Sequence, residues 1–198
     1  MIPKIKFKYS WIYDQKWKEW MKFYRPDFKT YPSEKTIIKY IKDVKKLWKG
    51  EEKKVLGELS KITKLKWKSK TITCYVVGQA MPFSDPLTVP IYDEKNWFTD
   101  VLTHELIHQL FTQEGNQKKA KLSWKYLEKK YKPHSKITIN HIPLFAIHSY
   151  IYLKFYSKKR LNHNIKIMSY YKGYKEAWEI VQKEGYENII KEFVGRIQ

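Results

Sequence analysis

The chain has one cysteine, Cys74, so no internal disulfide can form, and a cytoplasmic setting is expected. Arginine is almost as scarce. Arg25, Arg160 and Arg196 are the only three, which leaves 37 lysines among 40 basic residues. Arginine is the residue that phosphate and base recognition favours, so the net charge of +20 does not by itself point to nucleic acid. A nucleic-acid contact is possible but not favoured, and a compositional bias toward Lys, Ile and Tyr explains the charge more simply. Long apolar runs are also missing. The longest, Ile142 to Leu153, is interrupted by His148 and Ser149 and is too short to span a bilayer. The first residues, Met-Ile-Pro-Lys-Ile-Lys-Phe-Lys, alternate with lysine and lack the continuous apolar core of a signal peptide. No internal repeat or low-complexity linker interrupts the chain. A soluble protein with no membrane partner is expected.

What is present is a globular composition. Over 198 residues, 42% are hydrophobic and 17% aromatic, enough for one domain with a full core over residues 1–198, or for two subdomains flanking a cleft. Tyr13, Trp17, Trp20, Met21 and Tyr24 recur at helical spacing and predict a first helix with an aromatic core face, stopped by Pro26. Ser33 caps a second helix through Ile37, Ile41, Val44 and Trp48, ending at Gly50, and a third turns Val55, Leu59 and Ile62 inward. Residues 11–66 are thus a helical region, and 70–92 hold a small antiparallel or mixed sheet. In it Ile72, Cys74 and Val76 alternate with Thr71, Thr73 and Tyr75. A second strand, Thr88 to Tyr92, contains Pro90, which cannot donate a ladder bond and predicts an edge or irregular strand. Helices are expected again over about 96–113 and through 117–198, with breaks at Gly115-Asn116, Pro133 and Gly185. The fold class is α+β, mostly helical.

Chemistry concentrates in His104-Glu105-Leu106-Ile107-His108. Residues four apart share a helix face, so both imidazoles can reach one zinc ion while Glu105 stands beside it. A third protein ligand leaves an open position for a water whose pKa falls to about 7. A carboxylate there can take the water's proton and deliver it to a leaving amine. The flanking Val101, Leu102, Thr103, Leu106, Ile107, Gln109 and Leu110 are uncharged. Burying two histidines and a glutamate without a shared partner would cost several kcal/mol, and a metal ion is the most economical partner.

This segment resembles the active-site helix of the zincin metallopeptidases, and Pro86-Leu87-Thr88-Val89-Pro90-Ile91-Tyr92 resembles the strand that precedes it in small intracellular members. The similarity covers about thirty residues. It implies a zincin-like domain binding one Zn²⁺, with Val89 and Ile91 on a strand that lines the substrate cleft and a peptide or protein as substrate. In the gluzincin type, the third ligand is a Glu on a second helix, preceded by Asn and followed four residues later by Asp. Here Asn140 keeps its place, His141 stands at the Glu position and Phe145 replaces the Asp. His141 is the favoured third ligand and His148 the alternative, with Pro143 between them harmless only if the helix begins late. His134 and His163 fall in polar stretches read as loops, and Tyr170, Tyr171 and Tyr174 are too many to single one out as an oxyanion donor. The expected function is a zinc-dependent peptidase or amide hydrolase with Glu105 as general base. The alternative is a non-catalytic, zinc-stabilised protein that binds nucleic acid or an acidic protein.

Overall fold

Ile5 and Phe7 alternate with lysines at the amino terminus, and this two-residue period makes Lys4–Lys8 a strand, β1. The computed structural model describes residues 1–24 and 30–197, and the chain divides into two compact units. The first comprises Met1–Leu56 and Trp67–Gln109, the second Gly57–Lys66 and Leu110–Gln198. Among the described residues the chain is mostly helical, with one four-stranded mixed sheet. No helix among them is long and apolar enough to cross a membrane.

The sheet belongs to the first unit and contains β1, β2 (Thr71–Val77), β3 (Phe83–Ser84) and β4 (Leu87–Pro90), in the order β1-β2-β4-β3. β1 runs parallel to β2 with Lys4 opposite Thr71, β2 parallel to β4 with Val76 opposite Val89, and β3 antiparallel to β4. Ile72, Cys74 and Val76 are buried and Thr71, Thr73 and Tyr75 half-buried, as their alternation predicts. The edge or irregular strand expected around Pro90 is found in part, since β3 pairs with Leu87 and Thr88 and stops before Val89 and Pro90. The first half of β4 thus lies inside the sheet, and its second half borders no strand on the β3 side among the described residues. Pro90 is tolerated because the next amide, Ile91 N–H, is the one that donates to Val77 O, at 3.0 Å. Amides alternate in direction along a strand, so the donor missing at Pro90 would have faced the other side, beyond the end of β3.

Two helices of this region depart from expectation. α1 (Trp11–Tyr24) has the predicted aromatic period, but its only fully buried residue is Asp14. Trp20 and Tyr24 are exposed along with Trp11 and Phe23. The tether is polar: the Asp14 carboxylate accepts from Tyr31 O–H at 2.6 Å and Gly78 N–H at 2.8 Å. Beside it Tyr13 shares a 2.8 Å hydrogen bond with Thr88 Oγ1. Pro26, the expected stop, lies outside the described residues. α2 (Glu34–Thr63) is a single helix of 30 residues, so Gly50 ends nothing. A mid-helix glycine costs about 1 kcal/mol relative to alanine. The fully buried Val44, Trp48, Val55 and Leu56 on either side of it outweigh that cost.

α3 (Lys95–Thr112) begins in the first unit, and its last turn belongs to the second. The second unit adds α4 (Asn116–Lys130), α5 (Lys136–Phe155), α6 (Lys158–Met168), α7 (Lys172–Glu184) and α8 (Tyr186–Val194). α5 is its centre and packs against α4, α6, α7 and α8. Phe145 lies flat on Trp178 at 4.2 Å and 5°, and Phe193 is wedged against Phe111 at 5.3 Å and Trp124 at 4.9 Å. α5 starts early: Ser135 caps it by accepting from Thr138 N–H at 3.2 Å, which places Pro143 inside the helix and not in its first turn. α6 takes up the stretch expected as a loop, because Leu161 and Asn164 are buried at helical spacing. Gly185, at φ 83°, separates α7 from α8 as its position predicted.

Candidate metal centre

On α3 every residue from Phe98 to Ile107 is buried, and His108 and Gln109 are half-buried. A helix so uniformly buried can carry polar side chains only where they have partners. Thr103 O–H donates to Thr99 O at 2.8 Å, and the Gln109 side-chain amide donates to Ser84 O at 3.2 Å, which ties α3 to β3. His104 and His108 turn to one another: their rings are 4.9 Å apart at 77°, and their Nε2 atoms approach to 3.2 Å.

That separation can be tested against metal geometry. Two nitrogens at about 2.0–2.1 Å from one tetrahedral zinc stand about 3.3–3.4 Å apart. The observed 3.2 Å is within about 0.2 Å of that edge. The two imidazoles therefore fit a shared metal without rebuilding the helix. The donor set also suits zinc, which accepts neutral imidazole nitrogen readily.

Glu105 is 8% exposed, and burial pushes its carboxyl up to about 8. It lies close enough to Cys74 of β2 for its charge to act on that thiol. The thiol is pushed well above its ordinary value, first by complete burial and then by Glu105. An uncompensated Glu105 is accordingly protonated at neutral pH. A cation within a few ångströms would favour the carboxylate and bring the group into the range of a working base. Cys74 was not foreseen as a neighbour of the site: alternation places it on the inner face of the strand but says nothing of which helix it meets.

The two histidines of α5 have different surroundings. His141 is 7% exposed, and its Nδ1 lies 2.7 Å from Ile137 O. A carbonyl oxygen only accepts, so Nδ1 carries the proton and the lone pair is on Nε2, the arrangement that metal-binding histidines adopt. Burial holds its pKa below the ordinary value, against a smaller opposing effect of the Ile137 carbonyl, so the ring stays neutral. Tyr174 packs on this ring at 4.3 Å and Phe145 at 5.4 Å. Tyr174 is thereby distinguished from Tyr170 and Tyr171, which are exposed.

His148 lies two turns along α5, about 10 Å away along the axis. Its ring packs on Tyr152 at 4.7 Å, and the Tyr152 hydroxyl accepts from Asn164 at 2.7 Å. Burial, helped by the Arg160 charge, pushes its pKa down to about 3. His134 is half-buried, 3.3 Å from Glu176, and His163 is exposed on α6. Val89 of β4 is fully buried, and Ile91, just past the end of β4, is half-buried.

No protein-family model, curated protein or solved structure was found to match this chain.

Proposed function

We propose that the protein is a zinc-dependent peptidase or amide hydrolase of the zincin type, in which His104, His108 and His141 together hold one Zn²⁺ ion. The observation that carries the proposal is the 3.2 Å approach of two imidazole Nε2 atoms on a buried helix, with a buried carboxyl at the residue next to one of them. His141 is preferred to His148 because its Nδ1 is committed to Ile137 O, which leaves Nε2 as the ligating atom, whereas His148 packs beside the Tyr152 and Asn164 pair. Bound zinc would supply a Lewis acid for the scissile carbonyl and would acidify a water. Glu105 accepts the water's proton and returns it to the departing amine, so one carboxylate serves both halves of the hydrolysis. A peptide or protein substrate and a cytoplasmic setting belong to the same proposal.

At 3.2 Å the two rings could also share a direct hydrogen bond with no metal, and metal content separates these cases. Elemental analysis of the purified protein should find one zinc per chain, lost in His104→Ala and His141→Ala and retained in His148→Ala. Zinc retained in His141→Ala but lost in His148→Ala would move the third ligand, and no metal in the parent protein would remove the proposal. Zinc with the expected dependence but no chelator-sensitive hydrolysis of a peptide library would favour a zinc-stabilised binding protein.

A further inference from the structure

Five lysines converge on one cavity of the first unit. Lys45, Lys49 and Lys53 stand at four-residue intervals on α2, Lys4 opens β1, and Lys70 immediately precedes β2. They line a cavity of about 670 Å³ together with Ile2, Pro3, Ile5, Phe7, Trp48 and Glu52. Lys4 and Lys70 are held together by the Lys4 N–H to Lys70 O hydrogen bond of 3.0 Å. Glu52 is the one acidic residue of the lining, and its Oε2 accepts from Ile5 N–H at 2.8 Å. None of the five lysines forms an ion pair among the described residues.

Such a concentration of like charge is unfavourable by itself. Like charges at four-residue spacing on a helix cost a few tenths of a kcal/mol per pair, and a concave surface of one sign focuses its potential on counter-ions. The lower part of the cavity is apolar, with Ile5 and Trp48 buried and Phe7 half-buried. Trp48 is 1% exposed, and its indole N–H meets no acceptor among the described residues. A lysine rim over an apolar floor, in a cavity of the size that encloses small ligands, matches a molecule with several closely spaced negative charges and an apolar part.

We infer that this cavity binds a compact polyphosphate ester of the nucleoside triphosphate type, with its phosphates on the lysine rim and its organic part over Ile2, Ile5 and Phe7. An extended nucleic-acid strand suits it less, because it asks for a groove that tracks a backbone and aromatic platforms open to bases, whereas Trp48 is enclosed. The site is independent of the metal-centre proposal.

The test is calorimetric titration with ATP and with inorganic tripolyphosphate, without added divalent cations, of the full chain and two triple variants. Lys45→Ala/Lys49→Ala/Lys53→Ala strips the rim on α2. Lys118→Ala/Lys121→Ala/Lys125→Ala removes the same charge from exposed positions of α4. Circular dichroism checks that both retain the fold. The expected result is ATP binding weakened at least tenfold by the first triple and less than twofold by the second, with tripolyphosphate binding more weakly than ATP. Equal losses in the two triples would mean diffuse attraction to a basic surface and would overturn the inference, as would the absence of binding by either probe. Tripolyphosphate as tight as ATP would remove the role of the apolar floor. A single-stranded 20-mer bound more tightly than ATP, with the same dependence on the α2 lysines, would assign the cavity to a nucleic-acid strand and overturn the inference.

Discussion

α3 and α5 are alike in two respects: each carries two histidines, and each buries most of its length. They differ in what their histidines do. On α3 the spacing is four, and the two Nε2 atoms meet at 3.2 Å. On α5 the spacing is seven, and the rings go to separate neighbours, His141 to Tyr174 and His148 to Tyr152. Spacing of four is enough to make a pair from helix geometry alone, because side chains on adjacent turns stand one above another. Spacing of seven shares a face but not a place, so each ring has its own neighbour: Tyr174 of α7 for His141, and Tyr152, four residues on along α5 itself, for His148.

The largest effect should fall on α3. Glu105→Gln should keep zinc and reduce peptide hydrolysis by roughly 10²–10⁴-fold, the usual contribution of a general base. Measured beside metal content, an unchanged rate would leave α3 a metal-binding helix with no base on it. On α5, Phe145→Ala removes a fully buried ring from its stack on Trp178 and should cost about 3–5 kcal/mol in denaturant unfolding. A cost below about 1 kcal/mol would show that this helix does not centre the second unit's core as its packing implies.

A smaller effect distinguishes the α5 histidines by pH. His148 has a folded pKa of about 3, against about 6.5 when unfolded. The unfolded chain therefore binds the extra proton between these values. The stability from keeping His148 neutral is fully present above pH 6.5 and is lost as pH falls toward 3. The slope should be roughly 1 kcal/mol per pH unit, and His148→Phe should flatten it relative to the parent protein. Parallel stability profiles for the two proteins would contradict this account of the burial of His148. The smallest expected change is at the start of α5, where Ser135→Ala removes the acceptor for Thr138 N–H. It should lower the unfolding free energy by about 1 kcal/mol.

Much of the architecture was legible in local pattern. The β2 alternation, the extent of α3 to within a few residues, the Gly185 break and the mostly helical α+β class all follow from periods of two and 3.6 and from backbone-permissive residues. The misses share a cause. Gly50 was weighed as a local stop, yet α2 continues because its apolar face is buried on both sides of it. The aromatic period of α1 was right, but the residue buried is Asp14, since an acceptor for Tyr31 and Gly78 outweighs exposed rings. β1 was passed over because two apolar residues, Ile5 and Phe7, set among three lysines look unremarkable until β2 is beside them.

For the candidate site the division is similar. The sequence by itself determined that His104 and His108 share a face with Glu105 next to one of them, because a helix imposes that relation whatever surrounds it. Only the tertiary structure decided that Cys74 stands near Glu105, that Ile137 fixes the tautomer of His141 and that Tyr174 covers its ring. It also decided that five lysines close around one cavity, whereas the His148–Tyr152 contact is a four-residue relation within α5 itself. The tertiary relations join residues from separate elements or depend on where a helix begins. No period in the sequence encodes them; they follow from which apolar faces pack together.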